Sequence, residues 1–410
     1  MLSPYRALDL TDDKGFLCGK TLADLGADVI KVEPPAGDPS RNIGPFYHDI
    51  PHPEKSLYWL AYNGGKRGIT LDIETADGRE LFTKLVKTAD FVIESFAPGY
   101  LESLGLGYPA LTELNPRMIL TSITPFGQSG PYRDYKTSDM VSMALGGYVH
   151  LTGDHDRPPV RVGFPQAYLH GGMAAAAGTM IAHYHRELSG EGQWVDTSIQ
   201  EACALIPPDS YNFWEISQLL EERHGAVRLR PGTGARMRRV WLCQDGYVNF
   251  ELYGGWLARA FTIPLVAWMD EEGMAPDFLK EINWAAFDYS TATKEEVERI
   301  AEAAGRFFLS HTKAELWEGG IKRRCVIYPV VSPREVAENI QLQARDYWVK
   351  IDHPELGDTL TYPGPCIRSS ALPRRQPWRA PLIGEHNQEV FRELGLSQNE
   401  LTMLKQAGVI

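Results

Sequence analysis

A run of small residues in the middle of the chain constrains the fold most. Gly171 and Gly172 precede four consecutive alanines at positions 174–177. Alanine has the highest helix propensity, and a helix with such small side chains can lie close to neighbouring backbone. The run ends at Gly190, where a glycine favours helix termination. We therefore predict a closely packed helix here, opening near the two glycines and preceded by a strand over residues 159–165.

The first 33 residues predict a strand, a helix and a second strand. Apolar residues favour strands over 6–10 and 27–33, and an apolar face favours a helix over 15–26. The turn after the first strand reads Thr-Asp-Asp-Lys-Gly and lacks the GxGxxG pattern that holds a pyrophosphate. The pattern indicates an α/β fold without a dinucleotide site.

The same alternation continues along the chain and then changes. Further strands are predicted over 69–73, 89–94, 118–123 and 194–199, and helices over 75–87, 111–117 and 136–147. Residues 207–224 are predicted to be a connector. Beyond them, Asp245-Gly246 predicts a β-hairpin turn, and helices are predicted over 294–308 and 312–319. The length of 410 residues fits about two domains.

Composition limits the partners and the compartment. The formal net charge of −12 carries no basic footprint, so we expect no nucleic-acid partner. The five cysteines lie far apart without a CxxC pair, which predicts no zinc site and suits the reducing cytoplasm. His48 and His52 flank a proline-bearing loop rather than a helix face, so no metal is expected there. We recognise no signal peptide and no apolar run of the roughly 20 residues that a membrane span needs, so we expect no membrane association.

Four motifs occur in order along the chain. They are GADVIKVE at 26–33, FGQSGPY at 126–132, HRELSGEGQWVD at 185–196 and RAPLIGEHN at 379–387. This series resembles the class III CoA-transferases, the CaiB/BaiF family. The resemblance spans nearly the whole chain.

The resemblance implies a particular architecture and chemistry. It implies an α/β fold with a Rossmann-like large domain built from both chain ends, residues 1–205 and 326–410, joined by a linker, 206–224, to a smaller α+β domain, 225–325. It also implies a dimer whose chains interlock like linked rings. The expected substrates are an acyl-CoA and a carboxylic acid. Coenzyme A thioester is then a substrate, and no covalently bound cofactor is expected.

The family nucleophile is missing at its expected place. In the family a single Asp opens the small-residue helix, attacks the thioester and carries the acyl group as a mixed anhydride. Counting back from His185 without a gap, that position is Tyr168. A phenol with an ordinary pKa of about 10 is a poor substitute for a carboxylate. Asp139, in the first turn of a predicted helix, stands where relatives have an acid near the catalytic Asp, so it is the candidate acid.

The positions that bind CoA in relatives are partly kept and partly changed. By resemblance, the kept or similar positions are Lys66, Arg67, Ser95, Phe96 and Lys136. Asp12 and Asp13 replace uncharged groups, and Pro34 replaces an Arg that is common in relatives. Two added acids and a lost cation oppose an anionic pyrophosphate.

Three hypotheses follow from this mixture. In the first, the chain is the degenerate subunit of a heteromeric CoA-transferase whose homologous partner supplies the Asp. Without such a partner, it would form a homodimer. Alternatively, a single polypeptide works as a transferase or acyl-CoA isomerase through another carboxylate, Asp139. The third is a non-catalytic acyl-CoA-binding or scaffold protein.

Overall fold

The chain divides into two compact units. The computed structural model describes residues 1–229, 236–370 and 378–410. The larger unit comprises Met1–Val149, Val162–Gln218 and Ile340–Ile410, and the smaller unit comprises His150–Arg161 and Leu219–Asn339. The domain limits that the resemblance implies stay a prediction.

A parallel six-stranded sheet forms the centre of the larger unit. Its strands are β1 (Arg6–Leu10), β2 (Asp28–Glu33), β3 (Arg67–Thr70), β4 (Phe91–Glu94), β5 (Ile119–Thr124) and β6 (Trp194–Ser198). They lie in the order β3-β2-β1-β4-β5-β6, and each neighbouring pair is parallel. The chain builds outward from β1 to β3 and then returns to β4 beside β1. This switch point is where open α/β sheets bind ligands, beyond the carboxyl ends of the strands.

Helices connect these strands and follow β6. They are α1 (Phe16–Asp24), α2 (Leu57–Asn63), α3 (Ala76–Val86), α4 (Tyr100–Ser103), α5 (Tyr108–Leu114), α6 (Asp139–Leu145), α7 (Ala167–Ser189), α8 (Ile199–Ala204) and α9 (Pro208–Ser217). Two 3₁₀ turns, Pro39–Asn42 and Tyr47–Asp49, lie between β2 and α2. The predicted strands and helices of this part are confirmed apart from shifts of a few residues at their ends and the two segments corrected below.

The smaller unit is a separate α+β body. Its elements are β7 (Val227–Leu229), β8 (Arg236–Arg238), β9 (Val240–Cys243), β10 (Gly246–Asn249), α10 (Thr262–Glu271), α11 (Asp277–Glu281), α12 (Lys294–Leu309), α13 (Lys313–Arg323), β11 (Tyr328–Val330) and α14 (Pro333–Ala337). A 3₁₀ turn, Gly255–Ala260, precedes α10. The hairpin predicted at Asp245-Gly246 is confirmed as β9 and β10, and Trp241, Phe250 and Phe308 fill the core.

The carboxyl end of the chain returns to the larger unit. Its elements are α15 (Ile340–Ala344), β12 (Trp348–His353), β13 (Asp358–Pro363), α16 (Asn387–Glu393) and α17 (Gln398–Gln406). Val390 and Phe391 of α16 are fully buried in the same core cluster as Leu8 and Ile30 of the sheet. The prediction of a large domain built from both chain ends is therefore confirmed.

The small-residue helix packs closely, as predicted. A β-carbon on Gly171 would lie 2.7 Å from Ile199 Cγ1, and one on Gly172 would lie 3.0 Å from Leu17 Cβ. Helix α7 begins earlier than predicted, at Ala167. The small side chains bring α7 against α1 and the start of α8.

Two predicted segments differ from the structure. Residues 159–165 form no strand, because the prolines at 159 and 165 cannot donate hydrogen bonds to a neighbouring strand. The predicted connector contains helix α9, of which no residue is buried within this chain. A helix exposed on all sides has no one-sided apolar pattern, and such a pattern is the usual sign of a helix.

In the part of the chain that the structure describes, no helix is both long enough and apolar enough to cross a membrane.

Candidate active site

A cleft of about 610 Å³ lies at the carboxyl edge of the sheet. Its walls come from the ends of β1 and β2 and from the residues that follow β3 and β4. The lining residues are Leu10, Asp12, Lys14, Val32, Glu33, Pro34, Pro35, Asp38, Pro39, Leu71, Asp72, Ile73, Glu74, Ser95, Phe96, Ala97 and Tyr100. The cleft therefore occupies the switch point between β1 and β4, and it brings together Asp12, Pro34, Ser95 and Phe96 of the residues predicted from the sequence.

Carboxylates dominate the charge of this cleft. Five of its lining residues are acidic, and Lys14 is the one cation among the described lining residues. The Lys14 ammonium is bonded to the Asp12 carboxylate. Among the described lining residues, no cation is therefore free of an ion pair and ready to bind an anion.

Two further cations lie behind the cleft, and both are already paired. The buried Arg41 guanidinium donates to Glu33 at 2.6 Å and 2.8 Å, and it stacks 3.8 Å from the centre of the Trp59 ring. The Lys31 ammonium lies 3.5 Å from an Asp38 carboxylate oxygen. Pro34, where the resemblance implies an Arg, is exposed on the cleft wall.

Ser95 is engaged inside the protein. Its hydroxyl donates to Asp12 Oδ1 at 2.8 Å and accepts from the Asp12 amide at 2.9 Å. Next to it, the Phe96 and Tyr100 rings lie 4.7 Å apart at 35° and form an aromatic wall. Phe96 therefore faces the cleft, while Ser95 mainly fixes the turn that carries Asp12.

Tyr168 is the second residue of α7, and Asp139 lies beside it as predicted. The Asp139 carboxylate accepts from the Tyr168 amide at 3.1 Å and from the Gln166 amide at 3.3 Å. No side chain of α7 caps its own first turn. Asp139, from the first turn of α6, therefore caps α7, where the helix dipole favours a negative charge. Its role as a catalytic acid stays a prediction.

The surroundings of Tyr168 disfavour negative charge. Burial and the nearby carboxylates of Asp13, Asp12 and Asp139 raise the pKa of the Tyr168 phenol well above its usual value. Burial and Asp12 raise the pKa of the Asp13 carboxyl to about 6. Since the phenol stays protonated at neutral pH, it offers no nucleophilic oxyanion at the helix opening.

Two residues that the sequence analysis did not select also belong to this region. Burial and Asp13 raise the pKa of Tyr58, from α2. Burial lowers the pKa of His170, one helical turn into α7, although Asp139 opposes the shift. Neither residue had a signal in the sequence, because Tyr58 approaches Asp13, and His170 approaches Asp139, only in the tertiary fold.

Lys66 and Arg67 both lie outside the lining of the cleft. Lys66 is fully buried, and its ammonium bonds to Asp9 Oδ2 at 2.8 Å and to Asn63 Oδ1 at 2.9 Å. Arg67 begins β3 at the amino edge of the sheet and pairs with Asp28 at 2.6 Å. Neither residue lines the cleft. Both cations are committed to carboxylates of the same chain.

Arg67 has further partners, while Lys136 lies elsewhere. The Arg67 guanidinium also contacts Glu389 and Glu393 of α16, each at 2.7 Å. Lys136 lies exposed in the loop before α6. The CoA-binding roles of these residues stay a prediction.

Glu94 is a buried carboxyl directly below the cleft wall. It is 4% exposed and accepts from the Phe96 amide at 2.7 Å. Burial raises its pKa from 4.5 to about 7. Because the folded-state pKa is the higher one, this group favours folding most at pH values below about 4.5, and that contribution is lost as the pH rises through 7.

We expect Glu94→Gln to remove this pH dependence. Glutamine keeps an acceptor for the Phe96 amide and cannot ionise. Between pH 5 and pH 8, the free energy of unfolding of the natural chain should fall by up to about 3 kcal/mol more than that of the variant. Urea unfolding at both pH values measures the difference. Glu113→Gln, at an exposed position, is the matched control, and an unchanged pH dependence in Glu94→Gln would contradict the assignment.

No group of three or more His, Cys, Asp or Glu side chains within residues 1–229, 236–370 and 378–410 is arranged to hold a metal ion.

Comparison of the whole chain with known proteins identifies its family. The model of CoA-transferase family III matches residues 5–387. The chain is 36% identical over 409 residues to the succinyl-CoA:(R)-benzylsuccinate CoA-transferase subunit BbsE of Thauera aromatica, covering 100% of this chain and 98% of that protein. It is 31% identical over 400 residues to the succinyl-CoA–D-citramalate CoA-transferase of Chloroflexus aurantiacus, covering 97% and 94%.

A solved structure agrees with the sequence relatives. A CAIB/BAIF family protein from Brucella suis superposes with a TM-score of 0.81 at 27% identity, covering 96% of this chain and 99% of that chain. The chain belongs to CoA-transferase family III.

Proposed function

We propose that this chain is a subunit of a class III CoA-transferase in which a homologous partner chain supplies the catalytic aspartate. The observation that carries the proposal is Tyr168 at the opening of α7, with its pKa raised by burial and by three carboxylates. The reaction exchanges CoA between an acyl-CoA and a free carboxylate. An aspartate oxygen bonds to the thioester carbonyl carbon, the carbon–sulfur bond breaks, and CoA leaves as its thiolate.

A protonated tyrosine cannot take that step. Its oxygen would have to lose a proton in a place where burial and neighbouring negative charge oppose ionisation. The ester that it would form also lacks the anhydride reactivity that lets a second carboxylate take over the acyl group. The nucleophile must therefore come from elsewhere in the assembly.

The charge of the cleft also supports a reaction that takes place in the partner chain. Its acidic lining and its paired Lys14 disfavour the phosphates of a CoA nucleotide. We infer that the partner holds the CoA that reacts. This chain then contributes the shape of the interface and the surroundings of the substrate.

Exposed apolar helices support a partner chain. On α7, Met173, Ile181, Tyr184 and Leu188 are between 47% and 73% exposed. On α9, which has no buried residue, Ile216 is 81% exposed. Apolar surface of this extent is typical of protein interfaces. The relative from Thauera aromatica is itself named a subunit, and an interlocked arrangement remains our expectation for the pair.

The alternative that relies on Asp139 has less support. Both of its carboxylate oxygens accept backbone N–H groups at the start of α7. Those bonds hold the group in place and stabilise its charge, which lowers its reactivity toward a thioester carbon. We place the reaction in the cytoplasm, because all five cysteines are free thiols.

Co-expression tests the proposal. The chain is purified alone and together with a homologous chain, encoded beside it, that has Asp at the helix opening. Transfer of CoA from succinyl-CoA to a carboxylic acid is followed by mass spectrometry, and assembly by size-exclusion chromatography with light scattering. We expect no transfer by the chain alone and robust transfer by the complex.

Surface variants make the assembly test specific. Ile181→Asp with Ile216→Asp should separate the two chains and abolish transfer, because each change buries a charge in an apolar interface. Leu309→Asp, at an exposed position of the smaller unit, is the matched control and should leave the complex intact. Robust transfer by the single purified polypeptide would overturn the proposal.

A further inference from the structure

The smaller unit presents an apolar face of its three-stranded sheet. Strands β9, β10 and β11 pair antiparallel in the order β11-β10-β9. Trp241, Cys243 and Val248 belong to the core behind one face and are at most 3% exposed. The residues that alternate with them lie on the other face, and none is charged: Val240, Leu242, Tyr247, Asn249, Tyr328 and Val330. Because the solvent face of an antiparallel sheet is normally polar, this face is suited to a further contact.

Helix α13 and the residue after β11 enlarge this surface. The Trp317 ring lies 5.0 Å from the Tyr328 ring, and Ile321 follows Trp317 by one turn on the same side of α13. We define the sheet-face patch as the seven exposed apolar side chains of this region, Leu242, Tyr247, Trp317, Ile321, Tyr328, Val330 and Val331. Each of them is between 36% and 61% exposed.

The size of the patch is that of an interface core. Since a whole aromatic side chain carries about 150–250 Å², the seven partly exposed side chains together present on the order of 600 Å². The largest apolar patch of a typical monomer is roughly 300–600 Å². Tyr and Trp, which contribute three of the seven side chains, are enriched in the cores of protein interfaces.

The patch is held rigidly from behind. The Asp245 carboxylate accepts from the Lys313 amide at 2.7 Å, which fixes the β9–β10 turn to the start of α13. The Trp241 indole donates to the Phe250 carbonyl at 2.8 Å in the core. A surface that is already ordered loses little conformational entropy when it binds.

The edge of this sheet disfavours an added strand. Pro329 is the middle residue of β11, the edge strand of the described sheet. Proline has no N–H to donate, and proline in an edge strand opposes pairing with another strand. A partner would therefore pack on the face of the sheet.

The charges beside the patch favour a copy of the same surface. The exposed charged residues next to it along the chain carry both signs: Asp245, Glu318, Lys322 and Arg324. The formal net charge of the whole chain is −12, so this region lacks the excess negative charge that would repel a second copy. It also lacks the one-sign field that selects a strongly charged partner. In a twofold interface, a rim of mixed charge can complement itself.

We propose that the sheet-face patch packs against the same patch of a second copy of this chain about a twofold axis. The apolar core of on the order of 600 Å², together with its polar rim, reaches the roughly 800 Å² per partner of a standard interface. The inference rests on the proposed function in one respect. There the homologous partner covers α7 and α9, so the full assembly contains each of the two chains twice.

Light scattering coupled to size-exclusion chromatography tests the proposal on the full chain, alone and co-expressed with the homologous partner. Ile321→Glu with Tyr247→Glu places unpaired carboxylates in both halves of the interface. We expect these changes to halve the mass of both samples and to leave the partner bound and CoA transfer by the complex unchanged. Leu309→Glu, at an exposed apolar position of the same unit outside the patch, is the matched control and should leave both masses unchanged.

Hydroxyl-radical footprinting gives a second readout on the natural chain, without any variant. Trp317 and Tyr328 should be modified less at high protein concentration than at low concentration. An unchanged mass of the folded double variant, or modification that does not depend on concentration, would overturn the proposal. Release of the homologous partner by the double variant would also overturn it, because the patch would then bind that partner. A natural complex that assembles but transfers no CoA would instead contradict the proposed function and leave the mass measurement valid.

Discussion

The Tyr168→Asp variant of this chain, incubated alone with an acyl-CoA, is expected to form no covalent acyl or CoA adduct. The change introduces, near the opening of α7, the carboxylate that the family resemblance implies at this position. Intact-protein mass spectrometry detects an adduct directly. The expectation rests on two physical obstacles that the substitution leaves in place.

The first obstacle is binding. Losing one Arg contact to a phosphate costs on the order of 1.5–3 kcal/mol, and the resemblance implies such an Arg at the position of Pro34. Asp12 and Asp13 add negative charge close by. At about 1.4 kcal/mol per factor of ten, the affinity for CoA should be more than tenfold lower than with the Arg present.

The second obstacle is protonation of the new carboxyl. The burial and the three carboxylates that raise the pKa of Tyr168 would act on an aspartate at the same position. Its pKa should rise as well, which leaves less of the reactive carboxylate at neutral pH.

Combined changes reduce both obstacles together. Tyr168→Asp with Asp13→Gln and Pro34→Arg removes one acid and restores one cation, so it should form more adduct than the single variant. Tyr168→Asn with the same two changes is the matched control and should form none. An adduct on the introduced carboxylate of the single variant, at ordinary acyl-CoA concentrations, would show that the cleft still binds CoA.

Asp9→Asn is expected to lower the free energy of unfolding by about 3–5 kcal/mol. Asp9 is fully buried on β1, and its carboxylate lies 2.8 Å from the Lys66 ammonium and 4.0 Å from the Lys31 ammonium. Although burial alone would raise the pKa of Asp9, the two lysines lower it. Asparagine would leave two buried cations without their shared carboxylate.

Urea unfolding measures this loss against an exposed ion pair. Glu80→Gln removes the partner of Lys84 on the surface of α3, where the two groups lie 2.8 Å apart, and it should lower the free energy of unfolding far less, because exposed ion pairs contribute little to stability. Equal effects of the two substitutions would mean that the buried cluster contributes no more than a surface pair. Such a result would contradict a structural role for Lys66.

The sequence by itself determined the fold class and placed Tyr168 near the opening of the small-residue helix. Apolar runs separated by helix patterns predicted the parallel strands, and Asp-Gly predicted the hairpin of the smaller unit. Small residues predicted the tight packing of α7. These features depend on neighbours along the chain, so local patterns and motif spacing were sufficient to find them, including Tyr168 at the helix opening.

The tertiary structure decided what the charged residues do. Lys66 meets Asp9 across 57 positions, and Arg67 meets Glu393 across 326. Asp139 caps α7 from another helix, and Arg41 satisfies Glu33 behind the cleft. A long cation can reach many carboxylates, and its partner is chosen by which strands and helices lie together, so these roles could be assigned only after the fold had placed them.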